Sequence, residues 1–448
     1  MIPRAWRERE VAVIGLARSG SAATRLFRTR GMAVYASDAY DTPALRQAAE
    51  RLRALGADVE VGRHDTARIC RAGVVIVSPG VEPGAPVLRA ARTAGVPVHA
   101  EVEAGYLELE GTNFAAVTGT NGKTTTTALL ALLLCEGGFR AIPAGNIGEP
   151  LSAVALADPP PEWIALEVSS FQLHDVHHLA PRIGVLTNLA PNHLDRYPSV
   201  AEYYADKARL FRHASPQSIW VLNGDQPEVS DMSRAVAGRH LAWSLERAAD
   251  AWYDRARDRL MLGRSALVAR AELALLGDHN VGNALAAALA AHAAGVSNEA
   301  LARGLATFRP LPHRLEAIRE VDGVLWINDS KATNLAATAR AVAAVDRLAV
   351  LLLGGKHKGE PYTALAPTLS ERGVTVVAYG EAAPLIEADL ARLVRCERAA
   401  SFDDAVARAE YLAHPGDAVL LAPACSSYDA FVSYEERGDR FRALVESL

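Results

Sequence analysis

The sequence predicts an α/β protein with three domains, each built around a mostly parallel sheet, and three observations support this fold class. The chain has 448 residues, and one domain usually accounts for about 100–200 residues. Short apolar runs typical of buried strands alternate with segments of helical periodicity. Turns that contain glycine or serine follow several of these runs, as they do at the carboxyl ends of strands in parallel sheets.

Composition narrows the class of protein further. Half of the residues are hydrophobic and the formal net charge is −5, with neither sign collected into long blocks, which argues against a nucleic-acid partner. The four cysteines are widely separated and form no CxxC pair, as expected for reduced thiols. The apolar run Val11–Ala17 ends at Arg18, so no signal peptide is predicted, and Val281–Val296 is too short to span a membrane. We therefore predict a soluble, cytoplasmic protein without a membrane partner.

The first domain is predicted over residues 1–97 and begins like a dinucleotide-binding, Rossmann-like unit. Its predicted strands are Glu10–Ile14, Ala33–Ala36 and Val74–Val77. The turn Gly15–Gly20 follows the first strand, and its glycine pattern is G-x-x-x-x-G rather than G-x-G-x-x-G. Either a nucleotide contact or ordinary α/β packing explains this turn. Asp38 and Ser78 follow the other two strands, at the sheet edge where such folds bind ligands.

The central domain, predicted over residues 98–310, carries the most specific motif of the chain, which runs from Val117 to Thr125. It lies between an apolar run and a predicted helix over Thr124–Leu134. Its glycines allow a tight turn that directs backbone N–H groups and the helix N-terminus toward an anion. Lys123 would reach the β- and γ-phosphates of a nucleotide, and the Thr124 hydroxyl would ligate Mg²⁺. Val117 replaces the usual first glycine, but the Gly-Lys-Thr core favours an ATP- or GTP-binding loop over an ordinary turn.

Two other strand ends of the central domain carry candidate ligands for a divalent cation. The apolar run Trp163–Leu166 ends at Glu167, where an ATPase places a magnesium ligand, although a strand-end acid can also simply meet solvent. The run Ile183–Asn188 precedes a polar loop with His193, which could ligate a second ion or be a surface histidine. Their shared position beside the phosphate loop favours metal binding.

Lys207 lies on the apolar face of a predicted helix, near two tyrosines on one side and Leu210 and Phe211 on the other. Such a lysine usually extends its amine to water. If the amine is buried, its neutral, nucleophilic form is favoured, and carbon dioxide would convert it to a carbamate suited to Mg²⁺. Periodicity alone favours the ordinary interpretation.

The remaining polar features of the central domain have common structural explanations. His174, His177 and His178 have the spacing of a metal-binding face, but no supporting cysteine or acid pattern accompanies them, so we predict structural or exposed histidines and no transition-metal site. Asn283 lies near the start of an alanine-rich segment, where an amide either bonds a purine edge or caps the helix.

The C-terminal domain is predicted over residues 311–448, after the proline-containing linker Phe308–Arg314. Its predicted strands are Leu325–Asn328, Leu348–Leu353, Thr375–Tyr379 and Ala418–Leu421. Polar loops follow three of them, at Asn328–Asn334, Gly354–Gly359 and Pro423–Asp429. Arg314 and Lys331 could neutralise a transferring phosphoryl group. Each loop is unremarkable alone, but their shared position at strand carboxyl ends favours a site for an anionic substrate.

Taken in order, these motifs resemble those of the Mur ligase family over essentially the whole chain. The matching runs are Gly119–Thr124, Glu167–Leu173, Asn192–Tyr197, Asp278–Asn280, His313–Arg314, Asn328–Asn334 and Pro423–Ser427. The resemblance implies an N-terminal Rossmann-like domain for a uridine nucleotide substrate, a central P-loop ATPase-like domain, and a C-terminal Rossmann-like domain for an amino acid. It implies ATP-dependent joining of D-glutamate to UDP-N-acetylmuramoyl-L-alanine through an acyl phosphate, in peptidoglycan precursor synthesis. The expected partners are small-molecule substrates only, bound by a monomer.

The resemblance also assigns roles to individual residues. The ATP-binding positions are Gly119, Thr120, Asn121, Gly122, Lys123, Thr124, Thr125, Asn283, Arg314 and Asp329. The ligands of two Mg²⁺ ions are Thr124, Glu167, His193 and the carbamate of Lys207, and the catalytic residues are Lys123, His193 and Lys207. The positions for the uridine substrate are Ser19, Asp38, Ser78 and Asn146. Those for the amino acid are Lys331, Thr333, Lys358, Ser427 and Tyr434.

Some positions depart from the family pattern. Asn192 stands where an acid usually precedes the histidine, and Ala39 and Tyr40 stand where some members have a hydroxyl and an arginine. Tyr434 replaces a phenylalanine. Use of L-glutamate or another amino acid stays open, as does a nucleotide-binding relative without catalysis. A nicotinamide dehydrogenase lacks support because the glycine fingerprint is incomplete and a phosphate loop follows.

Overall fold

The computed structural model of the protein describes residues 2–192 and 196–448, which form two compact units. The first unit comprises the residues up to Leu273 together with Val281–Phe308, and the second comprises Ala274–Asn280 and Arg309–Leu448. Two sheets belong to the first unit and one to the second. The predicted α/β class with three sheet-based domains is confirmed, whereas the domain boundaries stay predictions. No helix among the described residues combines the length and apolar character that crossing a bilayer requires.

The first sheet is entirely parallel and has the strand order β3-β2-β1-β4-β5. Its strands are β1 (Val11–Ile14), β2 (Val34–Asp38), β3 (Asp58–Val61), β4 (Val74–Val77) and β5 (Val98–Ala100). The helices are α1 (Arg4–Arg7), α2 (Arg18–Thr29), α3 (Pro43–Ala54), α4 (Thr66–Ile69), α5 (Pro86–Thr93) and α6 (Glu101–Glu108). The strand order reverses between β1 and β4, so Gly15 and Ser78 both lie at the switch point where such sheets bind ligands.

The second sheet has nine strands in the order β14-β13-β12-β11-β10-β9-β6-β8-β7. They are β6 (Asn113–Thr118), β7 (Ala141–Gly145), β8 (Trp163–Glu167), β9 (Ile183–Leu186), β10 (Ile219–Asn223), β11 (Arg239–Ser244), β12 (Ala251–Asp254), β13 (Arg259–Leu262) and β14 (Ser265–Ala269). The helices are α7 (Lys123–Glu136), α8 (Leu151–Val154), α9 (Ser170–His174), α10 (Val200–Ala208), α11 (Pro227–Ser233), α12 (Asp278–Ala293) and α13 (Asn298–Thr307). Short 3₁₀ turns cover Arg209–Phe211 and Arg270–Glu272.

The alternation of strands and helices expected from the sequence is wrong over residues 239–269. Four strands follow one another there, and β12, β13 and β14 are antiparallel. Asp258 and Gly263 have positive φ angles of 52° and 54° in the two connections, so each reverses the chain within a few residues. A helix needs a longer segment, and none fits between strands so closely spaced.

The sheet of the second unit has the order β15-β16-β20-β17-β18-β19 and is parallel apart from the β15–β16 hairpin. Its strands are β15 (Glu316–Val321), β16 (Val324–Asn328), β17 (Leu348–Gly354), β18 (Thr375–Tyr379), β19 (Cys396–Arg398) and β20 (Ala418–Ala424). The helices are α14 (Leu335–Ala344), α15 (Ala366–Glu371), α16 (Ala383–Leu390), α17 (Phe402–Leu412) and α18 (Tyr434–Ser447), with a 3₁₀ turn at Tyr362–Leu365. β20 is buried along its whole length between β16 and β17, so the polar loops after these three strands share one edge.

Candidate active site

The loop Gly119–Gly122 connects β6 to α7 through a turn that requires glycine at two positions. Gly119 and Gly122 have positive φ angles of 145° and 79°. A Cβ on Gly119 would lie 2.0 Å from Thr187 Oγ1, and a Cβ on Gly122 would lie 2.1 Å from Asn283 Oδ1. The loop therefore packs closely against its neighbours and leads directly into the 14-residue helix α7, whose N-terminus is a ready site for phosphate.

Two residues that follow β9 hold the loop in this shape. The carbonyl oxygen of Asn188 accepts a hydrogen bond from the Thr120 N–H at 2.9 Å, and Asn188 Oδ1 accepts one from the Asn121 N–H at 3.0 Å. The Thr187 hydroxyl donates to the Asn121 carbonyl oxygen at 2.6 Å. The loop is thus organised by the protein itself, and it leads into the N-terminus of α7, a position at which helices bind phosphate.

Two lysines converge on one carbonyl oxygen of this loop. Lys123 Nζ donates to the carbonyl oxygens of Gly119 and Thr120, both at 3.0 Å, and Lys207 Nζ donates to that of Gly119 at 2.7 Å. Lys207 is only 1% exposed, so its helix turns the amine inward, and the interpretation favoured by periodicity alone, an amine that extends to water, is wrong. Burial, followed by the charge of Lys123, lowers the pKa of Lys207 well below its usual value. The neutral amine that a reaction with carbon dioxide requires is therefore favoured.

The helix that carries Lys207 is fixed beside the loop by polar contacts of its neighbours. Asp206 Oδ2 lies 2.9 Å from His174 Nδ1 and accepts a hydrogen bond from the Tyr197 hydroxyl at 3.1 Å. The Tyr203 hydroxyl donates to Thr120 Oγ1 at 3.3 Å. His174 thus has the structural role that we predicted for it.

Glu167 ends β8 level with Val117 of β6, so it lies at the edge of the sheet that carries the phosphate loop. It is 1% exposed. Its Oε1 accepts a hydrogen bond from Asn146 Nδ2 at 2.8 Å, whereas Oε2 has no hydrogen-bond partner among residues 2–192 and 196–448. A buried carboxylate oxygen without a partner, at the edge of the sheet that carries the phosphate loop, fits a hard divalent cation. His193, the other predicted ligand of this region, lies outside the described residues.

The glycine turn of the first sheet is held by the two polar residues predicted at that edge. Asp38 Oδ2 accepts a hydrogen bond from the Leu16 N–H at 2.8 Å, and the Ser78 hydroxyl donates to the Gly15 carbonyl oxygen at 2.9 Å. A Cβ on Gly20 would lie 1.7 Å from that same carbonyl oxygen. Close packing of α2 on the turn thus accounts for the spacing of its two glycines, one of the two explanations left open by the sequence.

The turn of the first sheet lies next to a loop of the second sheet. The Arg18 guanidinium donates to the Gly148 carbonyl oxygen at 2.5 Å, and Ser19 follows Arg18 in the first turn of α2. Asn146, in the same loop as Gly148, donates through its backbone N–H to the Glu167 carbonyl oxygen at 3.0 Å. Two residues predicted for the uridine substrate, Ser19 and Asn146, therefore lie on adjoining segments that lead to Glu167.

In the second unit, the loops after β16, β17 and β20 meet around the guanidinium of Arg437, which is fully buried. Its Nε donates to the Ser330 hydroxyl at 3.0 Å, and its terminal nitrogens donate to the carbonyl oxygens of Ser330 at 3.0 Å, Cys425 at 3.2 Å and Gly354 at 3.4 Å. One planar cation thus holds three loops in register.

The residues predicted for the amino-acid substrate lie on those loops. Lys331 Nζ is 3.7 Å from the centre of the Tyr434 ring, a cation–π distance. Backbone hydrogen bonds of 2.8 and 3.2 Å join Lys356 and Ser426 and so connect the loop that carries Lys358 to the loop that carries Ser427. Thr333 follows Lys331 and donates its backbone N–H to the Lys331 carbonyl oxygen at 2.8 Å.

Asp329 lies in the first of these loops, directly after β16. Its Oδ1 accepts a hydrogen bond from the Leu315 N–H at 3.3 Å. Burial raises the pKa of Asp329 to about 7, against the opposing effects of this hydrogen bond and of the positive charges of Arg314 and Arg340. Within this unit the structure brings Asp329 and Arg314 together, two of the residues predicted to contact ATP.

Sequence reasoning missed Arg437, because its charged neighbours suggest a solvated helix face. A helical signal was present, since Arg437, Phe441 and Val445 recur every fourth residue and all three are fully buried.

The scarcity of lysine in the composition was a second signal, and it pointed to the candidate site residues. The chain has only five lysines, at 123, 207, 331, 356 and 358, while the other 42 of its 47 basic residues are arginine. All five lysines lie in the predicted phosphate, metal and amino-acid segments.

The phosphate loop and the converging lysines define a nucleoside-triphosphate-binding protein of the α/β class. The chain matches the descriptions "Mur ligase MurD-like, N-terminal domain" over residues 9–100, "Mur ligase middle domain" over 117–291, and "Mur ligase, glutamate ligase domain" over 313–425. It is 40% identical to the UDP-N-acetylmuramoylalanine–D-glutamate ligase of Myxococcus xanthus, over 98% of each chain. It is 41% identical to the enzyme of the same name from Anaeromyxobacter dehalogenans, over 97% of each. The chain belongs to the Mur ligase family.

A solved structure agrees in fold. The UDP-N-acetylmuramate–alanine ligase of Thermotoga maritima is 19% identical, covers 98% of this chain with 99% of its own length, and superimposes with a TM-score of 0.62. This likeness confirms the three-domain architecture, and the predicted resemblance to the family is confirmed by the relatives above.

Proposed function

We propose that this protein is the ATP-dependent ligase that joins D-glutamate to UDP-N-acetylmuramoyl-L-alanine in peptidoglycan precursor synthesis. The convergence of Lys123 and Lys207 on the Gly119 carbonyl oxygen, beside the unpartnered Glu167 Oε2, carries this proposal. The two relatives with this activity in their names cover 98% and 97% of the chain. The boundaries at residues 97 and 310, the cytoplasmic location and the monomeric state stay predictions.

The reaction must first make a carboxylate electrophilic. The L-alanyl carboxylate attacks the γ-phosphorus of ATP, the bond from phosphorus to the bridging oxygen breaks, and ADP leaves with that electron pair. The acyl phosphate so formed is attacked at its carbonyl carbon by the glutamate amine, which loses a proton while phosphate departs. Lys123, held above the phosphate loop, neutralises negative charge that develops on the transferring group.

Glu167, Thr124, His193 and a carbamate on Lys207 would hold two magnesium ions in this site. When bound, these ions supply charge neutralisation and alignment of the phosphates. Glu167 offers its unpartnered oxygen for this purpose, and Asn146 fixes the orientation of the carboxylate through the other oxygen. The buried, neutral amine of Lys207 would attack carbon dioxide and release one proton, which would place a carbamate anion beside Lys123.

The second unit supplies the amino-acid site in this proposal. Lys331 and Lys358 would pair with the two carboxylates of glutamate, with Thr333 and Ser427 as hydrogen-bond donors and Tyr434 beside the side chain. Asn283, which accepts a hydrogen bond from the Thr126 hydroxyl at 3.3 Å next to Gly122, would contact the nucleotide from the first unit. The ATP contacts of Arg314 and Asp329 stay predictions.

Phosphate release from ATP tests the activity, with UDP-N-acetylmuramoyl-L-alanine, Mg²⁺ and bicarbonate present and the amino acid varied. We expect release that depends on D-glutamate and a product heavier by one glutamyl residue. Dependence on L-glutamate or another amino acid would keep the mechanism and contradict the assigned acceptor. No release with any acceptor would contradict the proposal and favour a nucleotide-binding relative without catalysis.

The carbamate is tested separately by NMR with ¹³C-labelled bicarbonate. We expect a carbamate carbon signal in the protein as sequenced and none in Lys207→Arg, because the guanidinium stays protonated and cannot react. An equal signal in both proteins would contradict the assignment to Lys207, without bearing on the ligase activity.

A further inference from the structure

A second cluster of metal-ligating side chains lies in the first unit, away from the residues assigned above. It joins His99 in β5 and Glu103 in the first turn of α6 to His178, which follows α9. One nitrogen of each histidine and one oxygen of Glu103 lie within 4.8 Å of one another. None of the three residues belongs to the predicted nucleotide, magnesium or substrate positions.

Glu103 is the centre of this cluster and is fully buried. Its Oε1 accepts hydrogen bonds from the backbone N–H groups of His177 at 3.1 Å and His178 at 2.6 Å, and it lies 2.5 Å from His178 Nδ1. Its Oε2 has no hydrogen-bond partner in the described part of the chain. The carboxylate is therefore oriented by the backbone through one oxygen, while the other oxygen remains available.

His99 adds a second buried atom without a partner. Its side chain is 8% exposed, and Nδ1 lies 3.8 Å from Glu103 Oε1, which is beyond hydrogen-bond distance. Among residues 2–192 and 196–448, that nitrogen has no hydrogen-bond partner. Two buried polar atoms without partners so close together are costly, unless a further group binds between them.

We propose that His99, Glu103 and His178 form a binding site for a divalent transition-metal ion of the zinc class. Two imidazoles and one carboxylate are a donor set that zinc accepts in tetrahedral sites, with the fourth position open to water. Mg²⁺ is a poor candidate because it prefers oxygen ligands alone. The predicted absence of a transition-metal site considered only the three histidines around α9, and the fold adds His99 and Glu103 from a distant part of the sequence.

The geometry needs only a small adjustment. Zinc–nitrogen and zinc–oxygen bonds of about 2.0–2.2 Å place tetrahedral ligands about 3.4 Å apart. The His178 side chain is 49% exposed, so it can move by the ångström required and leaves the ion a path from solvent. The His99 ring is held between Trp6 and His177, at centroid distances of 4.8 and 4.6 Å, so its orientation is already set.

Cobalt(II) is the first probe, because its visible absorption reports nitrogen and oxygen ligands in a tetrahedral site. The full chain is titrated with Co²⁺ and then Zn²⁺ in an excess of Mg²⁺, which blocks the hard-cation site near Glu167. We expect one equivalent of Co²⁺ to give a tetrahedral spectrum that Zn²⁺ displaces. Zn²⁺ should also raise the thermal unfolding midpoint, since it binds only the folded chain. Absence of the tetrahedral spectrum would overturn the proposal.

His178→Gln is the decisive variant, because His178 is half exposed and its loss leaves the core intact. We expect the affinity for Zn²⁺ to fall at least about tenfold. His240→Gln, which removes an exposed histidine outside the cluster, should bind Zn²⁺ like the original chain. Equal affinity in both variants would overturn the proposal.

His178→Cys separates ligation from a structural role of the side chain. A cysteine thiolate is a zinc ligand, so this variant should retain binding and add a thiolate-to-cobalt charge-transfer band. A chain that tolerates the change without the new band would contradict the assignment of His178 as a ligand.

Discussion

The sheet edge that carries the phosphate loop and the sheet edge of the second unit both carry residues predicted to bind anions, but the two edges are built by different means. At the first edge, one short segment, Gly119–Gly122, supplies the turn, the helix start and the lysine that follows it. At the second edge, a single side chain, Arg437, holds three loops, one of which lies 107 residues before it in the sequence. The loop at the first edge is thus one continuous segment of the sequence, whereas the second edge is assembled from separate segments that meet only when the unit folds.

The difference shows why the phosphate loop can be recognised from one segment of the sequence, whereas the polar loops of the second unit indicate a site only through their shared position at strand ends. The phosphate loop needs particular φ angles and therefore glycines at a fixed spacing. The second edge needs only that polar groups end neighbouring strands, and many residue types satisfy that demand. Substitutions at the two edges should therefore differ in what they damage.

The largest expected effect is at Lys123. Lys123→Ala should lower the turnover number by about 10³-fold or more, because it removes a fixed cation from the transferring phosphoryl group. Phosphate release at saturating substrates measures the effect. Arg303→Ala is the control, since it removes an exposed cation that lies 3.7 Å from Glu136 at the far end of α7. Near-normal turnover of Lys123→Ala would contradict the role of the first edge.

Arg437→Met should lower kcat/KM for the amino acid by about 10²-fold, because misplacement of the three loops by about 1 Å disturbs its orientation. The affinity for ATP at the first edge should stay within about twofold, since the phosphate loop is organised within its own unit. Steady-state kinetics and nucleotide titration measure the two effects. Arg440→Met is a matched control on the same helix, where the arginine makes an exposed ion pair with Asp403. Equal losses in both variants would contradict the positioning role of Arg437.

Gly122→Ala should weaken ATP binding and destabilise the first unit, because its Cβ would meet Asn283 at a positive φ of 79°. Gly111→Ala is a close match, with a φ of 83° and nothing within 4 Å of its Cβ. The positive φ should cost both variants about 1–3 kcal/mol in the free energy of unfolding, and only Gly122→Ala should lose nucleotide affinity. Urea unfolding and nucleotide titration check both outcomes, and an equal loss of affinity would contradict the packing argument.

The two edges should also differ in the pH dependence of stability. Burial raises the pKa of Asp329 to about 7, so the folded chain binds more protons than the unfolded chain between about pH 4 and 7. The contribution of Asp329 to the free energy of unfolding is therefore fully present below its unfolded pKa. It falls as the pH rises, by up to about 1.4 kcal/mol per pH unit. Burial lowers the pKa of Lys207, so the unfolded chain binds more protons below pH 10.5, and stability rises with pH.

Urea unfolding across pH checks both signs in buffers free of carbon dioxide. In Asp329→Asn, the free energy of unfolding should no longer fall as the pH rises from about 4 to 7. In Lys207→Met, it should no longer rise with pH at alkaline pH. The difference in the free energy of unfolding between each variant and the original chain should thus change with pH, and it should change in opposite directions for the two sites. A constant difference for either variant would contradict the proposed titration of that group.

The sequence by itself determined the fold class, the family and the segments that carry the chemistry. The predicted strand Val74–Val77 matches β4, and the predicted helix over Thr124–Leu134 lies within α7, because a short continuous apolar run is typical of a strand buried in a parallel sheet and a longer one is typical of a buried helix. Helical spacing also placed Lys207 on the apolar face of its helix, but it favoured an amine that extends to water rather than the buried amine that the structure shows. The hairpins of residues 239–269 were not predictable, since a short apolar run looks the same in parallel and antiparallel sheets.

Only the tertiary structure decided how side chains from distant segments meet. Three features join residues far apart in the chain. Lys207 reaches the carbonyl oxygen of Gly119, which Lys123 also contacts, and Arg437 joins three loops. The third feature is the cluster of His99, Glu103 and His178. Burial, which shifts the pKa of Lys207 and of Asp329, likewise depends on packing from several elements at once. Local patterns report backbone geometry, whereas electric fields and coordination depend on distances that only the complete fold sets.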